Sequence, residues 1–119
     1  MARELDGVLY VETTHLTYAT ATRGRNAYLN AIDLATHELR WRSPALVANA
    51  STFVVVGDLI VSGYGFTAEP DYLYLVDRGD GRVLDRLKMP SAPEVIRLHG
   101  NRLVVRTYDH DVVAQIVEP

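Results

Sequence analysis

Short runs of β-branched, aromatic and aliphatic residues recur along the chain, and polar turns separate them. Leu59–Val61, Tyr72–Val76 and Leu103–Val105 are examples. Such residues suit a half-buried, pleated strand, and glycine beside asparagine or aspartate marks the tight turns between the runs. No stretch keeps a 3.6-residue apolar period over three turns. The pattern therefore predicts an all-β chain.

The predicted strands repeat along the chain. Leu59 lies 43 residues after Leu16, and Leu103 lies a further 44 residues along. Asp33 and Asp77, each at the end of an apolar run, are also 44 residues apart. An antiparallel unit of four strands and about 40–45 residues has the size of a β-propeller blade.

The chain is predicted to hold about three such blades, and the last is incomplete. They cover residues 8–43, 52–89 and 94–118 within one β domain, 1–119. The third copy ends at Val117-Glu118, in the place of Val76-Asp77. The predicted strands are, in chain order, Val8–Glu12, Leu16–Thr22, Ala27–Asp33, Glu38–Ser43, Thr52–Val56, Leu59–Tyr64, Asp71–Asp77, Val83–Met89, Glu94–Leu98, Arg102–Tyr108 and Val112–Glu118.

The hairpins between the third and fourth strands share a pattern. An apolar strand ends in Asp33 or Asp77, a polar turn containing Thr36 or Gly81 follows, and Trp41 stands in the next strand of the first copy. These residues resemble the PQQ-like, or quinoprotein-type, propeller repeat. The resemblance implies that Asp33, Asp77, Gly81 and Trp41 are structural, with Trp41 packed between blades.

Two residues depart from the family's pattern, since His37 stands at the glycine position and Asp85 at the tryptophan position. Quinoprotein dehydrogenases of the family hold a quinone with calcium at the centre of a full ring, near a vicinal cysteine pair and a stacked tryptophan. This chain has no cysteine and one tryptophan. We therefore expect no cofactor, no quinone-dependent activity and no enzyme.

Composition and charge narrow the functional classes further. Hydrophobic residues make up 48% of the 119 residues, charged residues 23%, and the net charge is −3 at pH 7. This balance is typical of a globular domain and gives no reason to expect nucleic acid or an anionic membrane. The acidic beginning is unlike a signal peptide, and the lack of cysteine fits the cytoplasm. Lys88 is the sole lysine, and the arginine-rich composition is typical of a GC-rich bacterial sequence.

Three blades are too few to close a propeller, which has about four to eight. An open arc exposes two apolar blade faces, and soluble monomers avoid such patches. We therefore expect a homo-oligomer, most simply a homodimer that closes a six-bladed ring, or else a piece of a longer propeller. The missing strand of the third blade is either supplied by Met1–Asp6 of a second copy or simply absent.

Two loops are predicted to lie on the same rim of the ring, residues 22–26 and 63–71. Loops on a rigid scaffold are where binding concentrates. The chain is thus predicted to be a non-catalytic scaffold that binds a protein or peptide partner at this rim. An enzyme or small-ligand site in the central channel is the alternative. The predicted binding residues are Arg23, Arg25, Tyr64, Phe66, Glu69 and Asp71.

Two further polar segments invite a chemical interpretation. Tyr108-Asp109-His110-Asp111 has an imidazole and two carboxylates, which suit a hard or borderline cation, but these residues also form turns between short strands. Asp77–Gly81 contains an Arg-Gly-Asp tripeptide, and a tight hairpin turn accounts for it. We predict no metal site and no catalytic residue.

Overall fold

The computed structural model describes residues 1–14, 23–66, 69–107 and 109–115. All regular structure in these ranges is β-strand, and none of them contains a helix that could cross a membrane. The strands are β1 (Ala2–Leu5), β2 (Val8–Thr13), β3 (Tyr28–Asp33), β4 (Leu39–Arg42), β5 (Val54–Val56), β6 (Leu59–Phe66), β7 (Glu69–Asp77), β8 (Val83–Lys88), β9 (Pro93–His99), β10 (Arg102–Thr107) and β11 (Asp111–Gln115).

The strands form three antiparallel sheets in which successive strands pair. Blade 1 has the order β1-β2-β3-β4, blade 2 the order β5-β6-β7-β8, and blade 3 the order β9-β10-β11. The prediction of an all-β chain with three blades, the last of them incomplete, is confirmed.

The first blade begins one strand earlier than predicted. Ala2–Leu5 pairs with Val8–Thr13 across the turn Asp6-Gly7, whose φ angles are 53° and 78°. Two successive positive φ values are typical of a type I′ turn, which suits two-residue hairpins. The segment that precedes Val8 is thus paired within its own blade, which counts against the alternative in which Met1–Asp6 of a second copy completes the third blade. The predicted strand Leu16–Thr22 lies outside the described residues.

The pairing registers correct the alignment of the repeats. Val8 pairs with Asp33 as Leu59 pairs with Asp77. The counterpart of Leu59 in blade 1 is therefore Val8 rather than Leu16. The spacing of 44 residues holds between Asp33 and Asp77, while the connection from β2 to β3 is longer than its counterpart in blade 2.

Blade 3 follows the same register. Arg102 pairs with Gln115, so Gln115 holds the place that Asp77 holds in blade 2. The predicted strand ends at Tyr108 and Glu118 lie outside the described residues.

Equivalent turns close the outer hairpins of blades 1 and 2. Asp33 Oδ1 accepts the N–H of the second residue after it at 2.9 Å, and Asp77 Oδ1 does the same at 2.7 Å. His37 has a φ of 61° and Gly81 a φ of 78°. The histidine at the glycine position therefore takes the left-handed conformation that glycine adopts without strain.

Two apolar layers join the blades. Alternate strand residues point to opposite faces, so Ile60 and Val76 of blade 2 pack toward blade 1, while Val61 and Leu73 pack toward blade 3. Seam 1–2 comprises Val8, Tyr10, Leu29, Ala31, Trp41, Val47, Ala48, Phe53, Ile60 and Val76. Seam 2–3 comprises Ala50, Val54, Val61, Leu73, Met89, Ile96, Leu103 and Val105.

Candidate functional site

A groove of about 850 Å³ opens at the rim, where the β6–β7 hairpin meets the connection from β8 to β9. We call it the rim groove. Its lining combines carboxylates, small polar side chains, prolines and one aromatic ring, and none of the lining residues is basic. The lining residues are Asn49, Ser51, Gly65, Phe66, Asp71, Pro90, Ser91, Ala92, Pro93, Glu94 and Asp109.

The hairpin that forms one wall is more regular than predicted. β6 continues to Phe66 and β7 starts at Glu69, and these two residues pair after a bulge. The prediction of a loop over residues 63–71 is therefore wrong for the described part of this segment, because strand pairing continues through it. Residues 67–68 lie outside the described residues.

Tyr64 anchors this hairpin from inside the protein. Its side chain is 3% exposed, and its hydroxyl donates to Glu69 Oε1 at 2.8 Å. The ring of Phe66 meets it edge-on at 5.9 Å. Burial, reinforced by the Glu69 carboxylate, raises the pKa of Tyr64 above its ordinary value. Tyr64 and Glu69 thus hold the half-buried Phe66 ring at the groove, and Tyr64 is not the exposed aromatic that was predicted.

One carboxylate oxygen of Asp71, beside the groove, has no hydrogen-bond partner. This atom, Oδ1, is buried. Gly65 makes room for it, because a Cβ at that position would overlap the Asp71 carboxylate. Burial raises the pKa of Asp71, and the charge of Lys88 opposes that rise. A buried acceptor without a donor is costly, and a cation in the groove close to this carboxylate would stabilise its charged form.

Asn49 fixes the same wall through its amide. Its Nδ2 donates to the Gly65 carbonyl at 3.1 Å, and its Oδ1 accepts the Gly65 N–H at 3.1 Å. The Asn49 amide therefore pairs with the backbone of Gly65 as a neighbouring strand would. This pairing holds the groove backbone in place before any ligand binds.

The far wall is held by Ser91. Its Oγ lies 2.6 Å from Thr107 Oγ1 and 2.5 Å from Asp109 Oδ1. His110 Nδ1 lies 2.6 Å from the same Asp109 oxygen. The hydrogen bonds from Ser91 and His110 hold the pKa of Asp109 below its ordinary value. Asp109 therefore presents a charged carboxylate at this wall.

Asp109 and His110 lie in the turn between β10 and β11. The Thr107 N–H donates to the His110 carbonyl at 2.8 Å, which closes the β10–β11 hairpin. In the described ranges, no three His, Cys, Asp or Glu side chains are grouped where they could hold a metal ion. Tyr108, the first residue of the predicted cluster, lies outside these ranges.

The predicted rim residues are only partly brought together. Tyr64, Phe66, Glu69 and Asp71 all lie on the β6–β7 hairpin, and two of them line the groove. Exposed Arg23 and Arg25 lie on the β2–β3 connection. That connection joins the second and third strands of blade 1, so it emerges at the same end as the hairpin, but neither arginine lines the rim groove.

Asn49, Ser91 and Glu94 are groove residues that the sequence analysis missed. Asn49 and Ser91 come from the segments that link one blade to the next, where no strand period or short motif marks them, and Glu94 is the second residue of β9. The position of a link in the repeat could have pointed to its residues, because the links between blades reach the same rim as the loops between second and third strands.

Arg78, the first residue of the Arg-Gly-Asp tripeptide, is tied to blade 1 at the opposite end of the sheets. Its Nε donates to the Tyr10 hydroxyl at 2.8 Å, and its guanidinium pairs with Asp6 at 3.0 Å. Its carbonyl accepts the Trp41 indole N–H at 2.9 Å. The tripeptide is therefore a turn that braces seam 1–2.

Comparisons with known proteins identify the architecture. No protein-family model matches the chain, and no curated protein matches it significantly. The computationally designed Ika8 protein matches with a TM-score of 0.69 and 13% identity, over 97% of this chain and 32% of that one. The designed Ika4 protein matches with a TM-score of 0.66 and 14% identity, over 98% and 64%. The fold is propeller-like.

A natural enzyme shares this architecture. A europium-containing methanol dehydrogenase matches with a TM-score of 0.58 and 13% identity, over 96% of this chain and 20% of the enzyme. The chain thus spans less than two thirds of each of these three structures. At such identities the likeness describes the fold and assigns no activity.

Proposed function

We propose that this propeller-like chain is a non-catalytic binding module and that its rim groove takes a peptide segment of a partner protein. The observation that carries the proposal is the unpaired, buried Asp71 Oδ1 at a groove whose walls are already fixed. Glu94 and Asp109 add two more carboxylates. A suitable segment presents a cationic side chain to Asp71 and an apolar one to Phe66.

The polar contacts support binding rather than catalysis. A serine nucleophile needs a histidine base within hydrogen-bond reach, which a carboxylate then orients. In the far wall, Ser91 and His110 both contact Asp109. The carboxylate thus stands where the base would have to be.

We also propose that the repeat is of the PQQ-like type. The paired turns at Asp33 and Asp77 and the packed Trp41 support this assignment, as does the shared architecture with methanol dehydrogenase. The alternative function is a small-ligand or enzyme site in an assembled channel. A thermal shift with pyrroloquinoline quinone and calcium would favour that alternative, and an unchanged melting temperature would count against it.

Selection from a displayed random peptide library tests the groove. We expect enriched peptides to carry lysine or arginine beside an apolar residue. Asp71→Asn and Phe66→Ala should each weaken their binding by at least about tenfold. Asp85→Asn, which removes an exposed carboxylate outside the groove, is the matched control and should have no effect. Enriched peptides that bind all variants equally would contradict the proposal.

We further propose that two copies close the ring. The outer face of blade 1 carries half-buried Leu9 and Ile32, at the positions of Ile60 and Val76, which are buried in seam 1–2. Light scattering on a sizing column should give twice the 13.3 kDa of the monomer. A stable monomer would overturn this assembly and leave the groove proposal standing.

A further inference from the structure

In the part of the chain that the structure describes, β11 is the last strand of blade 3 and no strand pairs with its outer edge. Blades 1 and 2 carry β4 and β8 at that place, each antiparallel to the third strand. Unpaired strand edges are templates for an additional strand. Blade 3 therefore presents a position that the other two blades fill.

An apolar trough of about 360 Å³ lies beside this edge, between β8 and the β10–β11 hairpin. Leu73 and Leu103 line it and also belong to seam 2–3. The trough is thus the continuation of an interface that is already formed. Leu87, on the β8 side, lines the trough and is 53% exposed.

The equivalent position in seam 1–2 shows what fits the trough. Val83 of β8 pairs with Val76 and packs against the seam 1–2 cluster. The register makes Ala114 the counterpart of Val76, because Arg102 pairs with Gln115 as Leu59 pairs with Asp77. A strand added to β11 would therefore place one side chain opposite Ala114, inside the trough.

The backbone of β11 is prepared for such pairing. The Thr107 N–H bonds to the His110 carbonyl, and in antiparallel pairs the hydrogen-bonded positions alternate. Val112 and Ala114 therefore turn their backbone groups to β10, while Val113 turns its N–H and carbonyl to the free edge. The Val113 side chain is 63% exposed.

We propose that an extended segment of a partner protein adds to β11 as an antiparallel fourth strand and places an aliphatic side chain opposite Ala114. The backbone hydrogen bonds of such an addition supply affinity, and the side-chain pocket supplies specificity. The chain's own β1 pairs with β2 and is not the donor. This surface is separate from the rim groove, and the proposal does not depend on that groove's function.

A fluorescein-labelled peptide with the sequence of Gly81–Met89 is the probe, because this segment fills the same position in blade 2. We expect saturable binding by fluorescence polarisation. The same peptide with Val83→Lys should bind at least about tenfold more weakly, since it places a charge in the trough. Absence of binding by the unmodified peptide would overturn the proposal.

Variants of the chain locate the contact. Val113→Pro removes the edge N–H without removing a β10–β11 hydrogen bond, and Leu87→Glu places a charge on the β8 side. Each should reduce peptide affinity by at least about tenfold, whereas Val113→Thr and Asp71→Asn should not. Because Val113→Pro acts on a strand, Leu87→Glu provides an independent test at an exposed position, with folding checked by circular dichroism.

Two further outcomes count against a partner strand. Peptide binding that survives both Val113→Pro and Leu87→Glu would place it elsewhere. Failure to bind peptide, with a doubled solution mass that Val113→Pro abolishes, would make a second copy of this chain the occupant.

Discussion

Seam 1–2 and seam 2–3 have the same strand layout but differ at their outer margins, where the fourth strand of one blade meets the next blade. Trp41 pairs with Ala31 in blade 1, and Asp85 pairs with Leu75 at the same register in blade 2. Trp41 is 8% exposed, whereas Asp85 is exposed and lines the open trough.

The difference follows from what the next blade offers. Blade 2 receives the indole on the turn that ends β7, where Gly81 lies against the ring and the Arg78 carbonyl accepts its N–H. The described part of blade 3 has three strands and no such turn. An aromatic side chain at position 85 would therefore have no equivalent turn to pack against, and an exposed carboxylate there costs little.

The largest effect is expected from Trp41→Ala. The substitution should lower the free energy of unfolding by about 3–5 kcal/mol, because it removes a large buried ring and its hydrogen bond. Asp85→Ala is the matched change in the other seam and should stay within about 0.5 kcal/mol. Urea unfolding of both variants measures the contrast. Similar losses would show that the two margins are equally closed.

Gly81→Ala should destabilise the same margin by about 2–4 kcal/mol. The residue has a positive φ of 78°, and a Cβ would lie 2.7 Å from Trp41 Cδ2, so strain and overlap add. Gly57→Ala is the control, since its φ is also positive but nothing lies within 4 Å of the added carbon. It should cost about 1 kcal/mol. In a Trp41→Ala background the two penalties should become similar.

Glu12 should make the free energy of unfolding sensitive to pH. Its side chain is 3% exposed, and burial raises its pKa to about 7, although the Met1 amino group at 3.7 Å opposes the rise. The folded state then holds the proton more tightly than the unfolded state, so stability falls as pH rises from about 4.5 to 7. The expected loss is roughly 2–3 kcal/mol.

Urea unfolding of the wild type and Glu12→Gln across this pH range isolates the effect. The difference between the two should change with pH, because the other carboxylates titrate in both proteins. Asp33, whose pKa is lowered by its hydrogen bond from Arg40, acts in the opposite direction and cancels in the comparison. A pH-independent difference would contradict a raised pKa at Glu12.

The repeat and the all-β class could be predicted because strand patterns and turn residues are local signals. The first strand was missed although Asp6-Gly7 is a strong hairpin signal. β1 has four residues with three of them exposed, so it lacks an apolar pattern. Leu16–Thr22 resembles a strand of the later copies, so the sequence pattern matches Leu16, and not Val8, with Leu59. Only the pairing of Val8 with Asp33 corrects it.

The candidate site was predictable in part for the same reason. Phe66 and Asp71 lie in the segment between two clearly apolar runs, Leu59–Val61 and Tyr72–Val76. Asn49 and Ser91 come from links between blades and contribute through tertiary hydrogen bonds, which no sequence spacing encodes. The burial of Tyr64 likewise depends on tertiary structure, because β6 and β7 continue to pair as far as Phe66 and Glu69.

The smallest expected effect concerns closure of the ring. The outer face of blade 3 carries Arg97, Arg102 and Arg106, and their counterparts in blade 2 are largely apolar. Burying these guanidinium groups against Leu9 and Ile32 of a second copy lowers the surrounding dielectric and strengthens their mutual repulsion, although Asp111 already pairs with Arg106 at 3.3 Å. Association should therefore strengthen as salt screens this repulsion. Sedimentation equilibrium at low and high sodium chloride should show a shift of about 1 kcal/mol or less. Association that weakens with salt would instead indicate that attractive ion pairs hold the copies together.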